Sequence, residues 1–363
     1  MIKRNILLNP GPATTTDSVK HAQVVPDICP REKEFGEVMK YCANKLVEIA
    51  RGQEDYECVF FGGSGTASME ATISSVIAPG RKLLVLNNGL YGKRMVEIAN
   101  TYSIPCIDLD FNYGKIDLQK VEDIVIRTPN LEYLAMIHHE TTNGRLNPVK
   151  EVGKLAKKYD KSFIVDSISS FAGIPFSVEE CNIDFMLSTS NKCIQGMPGI
   201  SFVIAKRDAI EKTKSHPKRS FYLNLYSQYD FFKRTGQTQF TPPVQTFYAL
   251  KQAIDEFLQE GSENRYKRLV TNWETLVKGM DNLGFEKILP DSEESKILTT
   301  FNLPREIDFD KMHDSLYTKG FTIYPGKISG ANVFRIANMG AINLEDIIDF
   351  LTSMKETLKE VRN

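Results

Sequence analysis

Between residues 56 and 205, short apolar runs alternate with stretches of helical periodicity, and this alternation leaves few folds open to the chain. The apolar runs predict seven strands, at residues 56–61, 82–86, 105–109, 133–138, 162–165, 185–187 and 200–205. Helices are predicted between several of them, at residues 66–77, 91–102 and 149–159. Strands that alternate with helices are typical of a mostly parallel sheet covered on both faces. The sequence therefore predicts an α/β fold.

The pattern changes after residue 206. Residues 222–239 mix aromatic and polar side chains without a clean period, and we interpret residues 218–232 as a solvated loop or a loop over an active site. Long helices are predicted after Pro243 and from about residue 263, followed by a smaller α+β unit. We therefore predict an N-terminal segment (1–20), a large α/β domain (21–255) and a small C-terminal α+β domain (256–363).

The charge balance narrows the classes of partner. The chain has 45 Lys and Arg against 46 Asp and Glu, a formal net charge of −1. Proteins that bind nucleic acids or anionic membranes usually carry a basic excess, so we expect neither partner. No stretch approaches the ~18 apolar residues of a membrane span. The six cysteines include no CxxC pair and the N-terminal apolar run is too short for a signal peptide, which together predict a reduced, cytoplasmic protein.

The first candidate binding feature is the run Gly62-Gly63-Ser64-Gly65-Thr66, between a predicted strand and a predicted helix. Its glycines let the backbone approach an anion, and the hydroxyl groups and the first free N–H groups of the helix can donate to that anion. The run matches neither a GxGxxG fingerprint nor a GxxxxGK[ST] loop. Taken alone, it fits a plain glycine-rich turn equally well.

Asp166 and Lys192 are the candidate catalytic residues. Asp166 ends the apolar run 162–165, where open α/β sheets place their ligands, although capping a turn is the alternative. Lys192 follows the predicted strand 185–187, although most lysines are solvated surface charges. With the anion turn, the two residues suit pyridoxal phosphate, which needs a phosphate cradle, a carboxylate at its ring nitrogen and a lysine that forms a Schiff base. His138 and His139, being adjacent on a strand, face opposite sides, so we expect no metal site there.

The chain resembles the class V aminotransferases of the fold-type I pyridoxal-phosphate family, and among them the branch that acts on phosphonates. The similarity covers nearly the whole length and rests on residues 8–12, 63–66, 88–92, 139–144, 164–167, 190–196, 324–327 and 334–336. The runs at 190–196 and 324–327 are typical of the phosphonate branch. Two departures are Asn143 and Leu90, where relatives commonly have Thr and Ala.

The resemblance implies a fold-type I transferase with pyridoxal 5'-phosphate as its cofactor. It implies that Lys192 forms the Schiff base and that Asp166 pairs with the pyridinium nitrogen. The phosphate would be held by Ser64, Gly65 and Thr66.

The resemblance also implies a homodimer, in which Thr241 of the partner subunit joins the phosphate site. Tyr91 would stack on the cofactor ring, and Thr142 would lie near the ring hydroxyl. Arg335 would receive the anionic end of the substrate, with Lys327 or Arg31 as candidate helpers.

The implied reaction is a ping-pong transfer of the amino group of 2-aminoethylphosphonate to pyruvate, giving phosphonoacetaldehyde and L-alanine. Three alternatives stay open on the sequence alone. They are a class V transaminase that uses serine or alanine with glyoxylate or pyruvate, a phosphonopyruvate transaminase, and a non-enzymatic nucleotide-binding protein. The last has no role for Lys192.

Overall fold

A computed structural model describes residues 5–361 of the chain. The α-helices in this range are α1 (Asp17–His21), α2 (Lys33–Ile49), α3 (Gly65–Val76), α4 (Leu90–Thr101), α5 (Leu118–Arg127), α6 (Val149–Lys158), α7 (Arg207–Lys212), α8 (Leu225–Thr235), α9 (Val244–Glu260), α10 (Ser262–Asn282), α11 (Phe309–Thr318) and α12 (Leu344–Val361). The β-strands are β1 (Ile6–Leu7), β2 (Tyr56–Gly62), β3 (Lys82–Asn87), β4 (Cys106–Asp110), β5 (Leu131–Ile137), β6 (His139–Glu140), β7 (Arg145–Leu146), β8 (Ser162–Asp166), β9 (Phe185–Thr189), β10 (Ile200–Lys206), β11 (Leu298–Asn302), β12 (Phe321–Thr322), β13 (Tyr324–Pro325) and β14 (Val333–Ala337). A short 3₁₀-helix covers Thr213–Ser215.

The large sheet has seven strands in the order β2-β10-β9-β8-β5-β3-β4. Strand β10 runs antiparallel to both of its neighbours, and the other pairs are parallel. Each of the seven predicted strands is found, with its ends shifted by no more than two residues. The predicted α/β class with a mostly parallel seven-stranded sheet is therefore confirmed.

Two apolar clusters cover the two faces of the large sheet. Along β2, Phe60 joins the cluster that includes α2 and α9, whereas Val59 and Phe61 join the cluster that includes α3 and α4. This alternation follows from the two-residue period of a strand, which turns successive side chains to opposite faces. Burial on both faces explains why these strands read as continuous apolar runs in the sequence.

The predicted loop at residues 218–232 is wrong in its second half, where α8 begins at Leu225. This helix buries Leu225, Gln228 and Tyr229. Gln228 donates from Nε2 to the carbonyl oxygen of Phe60 and accepts the N–H of Gln239 at Oε1. Because a buried polar side chain stands at a core position, the apolar period of the helix is hidden in the sequence.

The C-terminal part contains a three-stranded antiparallel sheet in the order β11-β14-β13. The N-terminal segment contacts both parts of the chain. Its strand β1 pairs in parallel with β12 of the C-terminal part, and the Ala13 N–H donates at 2.9 Å to the carbonyl oxygen of Asn191, in the turn after β9 of the large sheet. The predicted boundary between residues 255 and 256 falls inside α9, and the domain limits stay a prediction. No helix within residues 5–361 combines the length and the apolar character that crossing a bilayer requires.

Candidate active site

The candidate residues gather at one edge of the large sheet. Strands β2, β3, β5, β8 and β9 all point the same way, so their carboxyl ends meet there. The turn with Ser64 and Thr66 follows β2, and Tyr91 follows β3. Thr142 comes after β5 and β6, Asp166 ends β8, and Lys192 follows β9. Open α/β sheets bind their ligands in the crevice outside this edge.

The turn after β2 is built to receive an anion. Ser64 is the N-cap residue of α3, and its exposed side chain makes no capping hydrogen bond within the described chain. A Cβ added at Gly65 would lie 2.8 Å from Ile168 Cδ1, so only glycine fits against that side chain. The first N–H groups of a helix have no intrahelical partner and carry a positive partial charge. A phosphate at this end of α3 would therefore meet both N–H groups and hydroxyls.

Lys192 lies in the turn after β9, beneath the N-terminal segment. Its Nζ donates to the carbonyl oxygen of Pro10, and a Cβ added at Gly11 would overlap the same Nζ. Burial, helped by the positive charges of Arg335 and Lys327, lowers the pKa of Lys192 to about 8 against the opposing effects of Cys193 and Asp166. A larger fraction of this amine is therefore neutral near pH 7 than of a free lysine, which is what a nucleophilic amine requires.

Asp166 is buried, with 3% of its surface exposed. Its Oδ1 accepts the N–H of Ile168 at 2.7 Å. Burial, together with the nearby charge of Glu140, raises the pKa of this carboxyl to about 7, although the Ile168 N–H and the charges of Arg94 and Lys192 oppose this rise. A cation beside a buried carboxyl favours its charged form. The position therefore suits a protonated ring nitrogen.

Arg335, on β14, approaches the edge from the small sheet and is only 1% exposed. Its Nε donates to the Pro325 carbonyl oxygen at 3.1 Å, and its Nη1 donates to that of Thr141 at 2.9 Å. Its Nη2 is buried and has no hydrogen-bond partner among the described residues. A buried N–H group of a charged side chain is costly without a hydrogen-bond partner, so Nη2 is ready to donate to an anion.

Sequence reasoning missed two residues of this edge. Arg94 donates from Nη1 to Thr66 Oγ1 at 3.2 Å, and its guanidinium carbon lies 4.8 Å from the centroid of the Tyr91 ring. The second residue is Glu140, a fully buried carboxylate that contacts Thr142 and the start of α4. The available signals were weak: Arg94 follows Tyr91 by three residues on the same helix face, and Glu140 follows a buried strand.

The expected helpers differ in what they contact. Arg31 donates to the carbonyl oxygens of Thr238 at 2.6 Å and Gln239 at 3.3 Å. Its guanidinium therefore holds the segment just before Thr241, which is itself exposed. Lys327 is exposed beside β13. Partial desolvation of its amine and the nearby positive charges of Arg335 and Arg94 lower its pKa.

Asn143 keeps the local turn intact where relatives commonly have Thr. Its Oδ1 accepts the N–H of Arg145 at 3.1 Å, and its Nδ2 donates to the Tyr113 carbonyl oxygen at 3.0 Å. Neither bond involves Thr142, whose hydroxyl contacts Glu140 and the Leu90 N–H. The departure at Asn143 therefore leaves the hydrogen bonds of Thr142 in place.

The large sheet brings a lysine with a lowered pKa, a buried aspartate and a buried arginine with a free Nη2 group to one edge, an arrangement typical of an aminotransferase. The family model described as "Aminotransferase class-V" matches residues 18–343. The chain belongs to the class V aminotransferase family.

Individual relatives agree with this assignment over almost the whole length. The chain is 41% identical over 359 residues to a 2-aminoethylphosphonate–pyruvate transaminase of Vibrio cholerae serotype O1, covering 97% of each chain. It is 40% identical over 360 residues to the 2-aminoethylphosphonate–pyruvate transaminase of Phocaeicola vulgatus, covering 98% of this chain and 99% of the relative. The crystal structure of an alanine–glyoxylate aminotransferase from Nostoc sp. superimposes with a TM-score of 0.92 at 25% identity, covering 99% of this chain and 96% of the other.

Proposed function

We propose that the chain binds pyridoxal 5'-phosphate at the carboxyl edge of the large sheet. The residues present fit this cofactor: the glycine turn and α3 offer donors for its phosphate, and Asp166 offers a buried carboxyl whose pKa of about 7 a cation would lower. Lys192 offers an amine whose pKa of about 8 suits covalent attachment. Tyr91 and Thr142 flank the same edge and are proposed to contact the ring.

The bound cofactor supplies an electron sink for the carbanion that forms on the amino-bearing carbon. Lys192 would be the proton carrier, because burial and nearby charges bring the pKa of its Nζ to about 8 at this edge. When free of the cofactor, this amine would hold the proton that leaves the amino-bearing carbon of the donor. Asp166 would hold positive charge at the ring nitrogen, and Arg335 would hold the anionic end of each substrate.

We propose that the amino donor is 2-aminoethylphosphonate and the acceptor is pyruvate. The observation that carries this proposal is the unpaired, buried Nη2 of Arg335. Both substrates end in an anion, phosphonate or carboxylate, and a guanidinium fork can bind either. The names of the curated relatives support the same pair of substrates.

The experiment is a comparison of half-reactions. The cofactor-loaded protein is mixed separately with 2-aminoethylphosphonate, L-alanine, L-serine and phosphonoalanine, and the loss of the cofactor's visible band is followed by stopped flow. We expect 2-aminoethylphosphonate and L-alanine, the donor and the product, to convert the cofactor fastest. If serine or phosphonoalanine reacts much faster than 2-aminoethylphosphonate, the proposed substrate is wrong and a related transaminase activity replaces it.

We further propose a homodimer in which Thr241 of the partner subunit completes the phosphate site. Two features support this arrangement. Thr241 is exposed immediately before Pro242 and α9, and Arg31 holds the preceding segment by two backbone carbonyl groups. An exposed hydroxyl on a fixed segment is suited to reach a second chain.

A further inference from the structure

Glu140 is a fully buried carboxylate at the carboxyl edge of the large sheet, and its relative exposure is 0%. Oε1 accepts the backbone N–H of Thr142 at 3.0 Å and the Thr142 hydroxyl at 2.5 Å. Oε2 accepts the N–H groups of Tyr91 at 3.3 Å and Gly92 at 3.4 Å. Burial raises the pKa of Glu140, and the hydrogen bonds from Thr142, Gly92 and Tyr91 oppose this rise. In the ionised carboxylate both oxygens are acceptors only, and each faces two donors.

The Thr142 hydroxyl has its direction fixed by these contacts. It donates its proton to Glu140 and accepts the N–H of Leu90 at 3.0 Å. A hydroxyl has one hydrogen and two lone pairs, so one lone pair is left for a donor in the site. Glu140 therefore decides that Thr142 meets the site as an acceptor.

The second oxygen of Glu140 holds the start of α4. A carboxylate at a helix N-terminus is stabilised by the free N–H groups and by the helix dipole. An added Cβ at Gly89 would lie 2.8 Å from Glu140 Oε1, so the backbone packs directly on this side chain. Tyr91 is the second residue of α4, and its backbone N–H is one of the two donors. The position of its ring depends on this anchor.

We propose that Glu140 is a positioning residue of the active site, which fixes the Thr142 hydroxyl and the Tyr91 ring against the cofactor through one carboxylate. The inference rests on the proposed cofactor. Thr141, the next residue, offers its carbonyl oxygen to Arg335 Nη1. The same short segment therefore sets the cofactor contacts and the anion receptor together.

A glutamine cannot take the place of Glu140. An amide has one acceptor oxygen and one NH₂ group, whereas both oxygens of Glu140 face N–H or O–H donors. In either orientation of a Glu140→Gln side chain, the NH₂ group meets donors from Thr142 or from α4. An aspartate at the same position can still accept the N–H two residues ahead in an Asx-turn. Glu140→Asp therefore keeps the contact with Thr142 and loses the contact with α4.

The test measures cofactor binding rather than turnover. Cofactor-free Glu140→Gln is titrated with pyridoxal phosphate, and visible circular dichroism of the bound cofactor reports the orientation of its ring. We expect the dissociation constant to rise about tenfold or more, the effect of losing a charge-assisted contact, and the visible signal to change. Glu294→Gln is the matched control, because Glu294 is also buried and accepts from Trp273 Nε1, within the C-terminal part of the chain. It should lower stability and leave both readouts unchanged.

Glu140→Gln with wild-type affinity and a wild-type visible signal would overturn the inference. If that variant does not fold, Glu140→Asp is tested instead. It should keep the part of the cofactor affinity that depends on Thr142, while the visible circular dichroism of the bound cofactor changes. A double variant with Thr142→Val should lose less affinity than the sum of the two single losses, since both changes disturb the contact that the Thr142 hydroxyl makes. Fully additive losses would contradict this coupling. Wild-type protein that binds no cofactor would instead overturn the proposed function.

Discussion

Arg335 donates from Nη1 to the carbonyl oxygen of Thr141 across 2.9 Å, and this bond joins the small sheet to the carboxyl edge of the large one. The guanidinium is thereby oriented before any substrate arrives, with Nη2 left unpaired among the described residues. Thr141 lies between Glu140 and Thr142, so the anion receptor and the cofactor contacts share one short segment. A substrate anion bound at Arg335 is in this way placed relative to the cofactor.

Replacing Arg335 by lysine should weaken the binding of both substrates. An ammonium group keeps the charge but loses the fork and the bond to Thr141. Because a charge-assisted hydrogen bond contributes about 1.5–3 kcal/mol, we expect KM for 2-aminoethylphosphonate and for pyruvate to rise roughly 10–100-fold. Steady-state kinetics of Arg335→Lys measure this change. Arg207→Lys, at a partly exposed ion pair with Glu57, is the control. A KM change confined to one substrate would contradict a single binding group for both substrate anions.

In the cofactor-free protein, Asp166→Asn should gain stability relative to the wild type as the pH rises. The folded-state pKa of Asp166 is about 7, against 3.8 for the ordinary side chain. Below pH 4 the carboxyl is protonated in both states. Between pH 4 and 7 only the unfolded chain releases the proton, so the wild-type free energy of unfolding falls against the variant by ~1.4 kcal/mol per pH unit.

Urea unfolding of the two cofactor-free proteins at pH 4.5 and pH 8 measures this difference. The variant keeps an acceptor oxygen for the Ile168 N–H, so the comparison isolates the charge. A stability difference that is the same at both pH values would show that burial does not disfavour the Asp166 carboxylate.

Gly11→Ala should weaken cofactor attachment. The added Cβ would overlap Lys192 Nζ, and Gly11 has φ +128°, which side chains rarely adopt. Gly80→Ala is the matched control: its φ is +76°, but nothing lies within 4 Å of its added Cβ. Both variants should lose about 1–3 kcal/mol of stability through backbone strain. Only Gly11→Ala should also release the cofactor faster, as followed by absorption after dilution, and equal release from both variants would contradict the proposed contact.

Mixed dimers test the role of Thr241. A Lys192→Ala chain and a Thr241→Ala chain are co-refolded, so that each hybrid has one site with both Lys192 and Thr241 of the partner subunit intact. We expect half of the sites in the hybrid to bind pyridoxal phosphate with wild-type affinity. If every functional site in the hybrid has the weakened affinity of the Thr241→Ala homodimer, Thr241 acts within its own chain.

The large sheet was predictable because most of its strands are buried on both faces. Apolar runs such as residues 82–86 identify a strand without any tertiary information. Helix α2 was equally readable, since Phe35, Met39, Cys42 and Leu46 follow a helical period, but the sequence analysis did not assign it. Helix α8 was hidden, because the buried Gln228 interrupts the apolar pattern and is satisfied only by the distant Phe60 carbonyl group.

The residues of the candidate site also fall into those that the sequence revealed and those that it did not. Asp166 and Lys192 were found because each follows a strand, and Arg335 was found through the family resemblance. Glu140 and Arg94 were missed because their partners are distant in the chain. Glu140 accepts from Tyr91 and Gly92, 49 and 48 residues away, and Arg94 donates to Thr66, 28 residues away. Such pairings depend on sheet order, which no local pattern contains.

The most direct test of the active site is to find the lysine that holds the cofactor. The protein is incubated with pyridoxal phosphate, reduced with borohydride, digested and analysed by peptide mass spectrometry. Our account predicts one label per chain, on Lys192, and none at that stoichiometry in Lys192→Ala. A label on another lysine, or a protein that stays colourless and unlabelled, would contradict it.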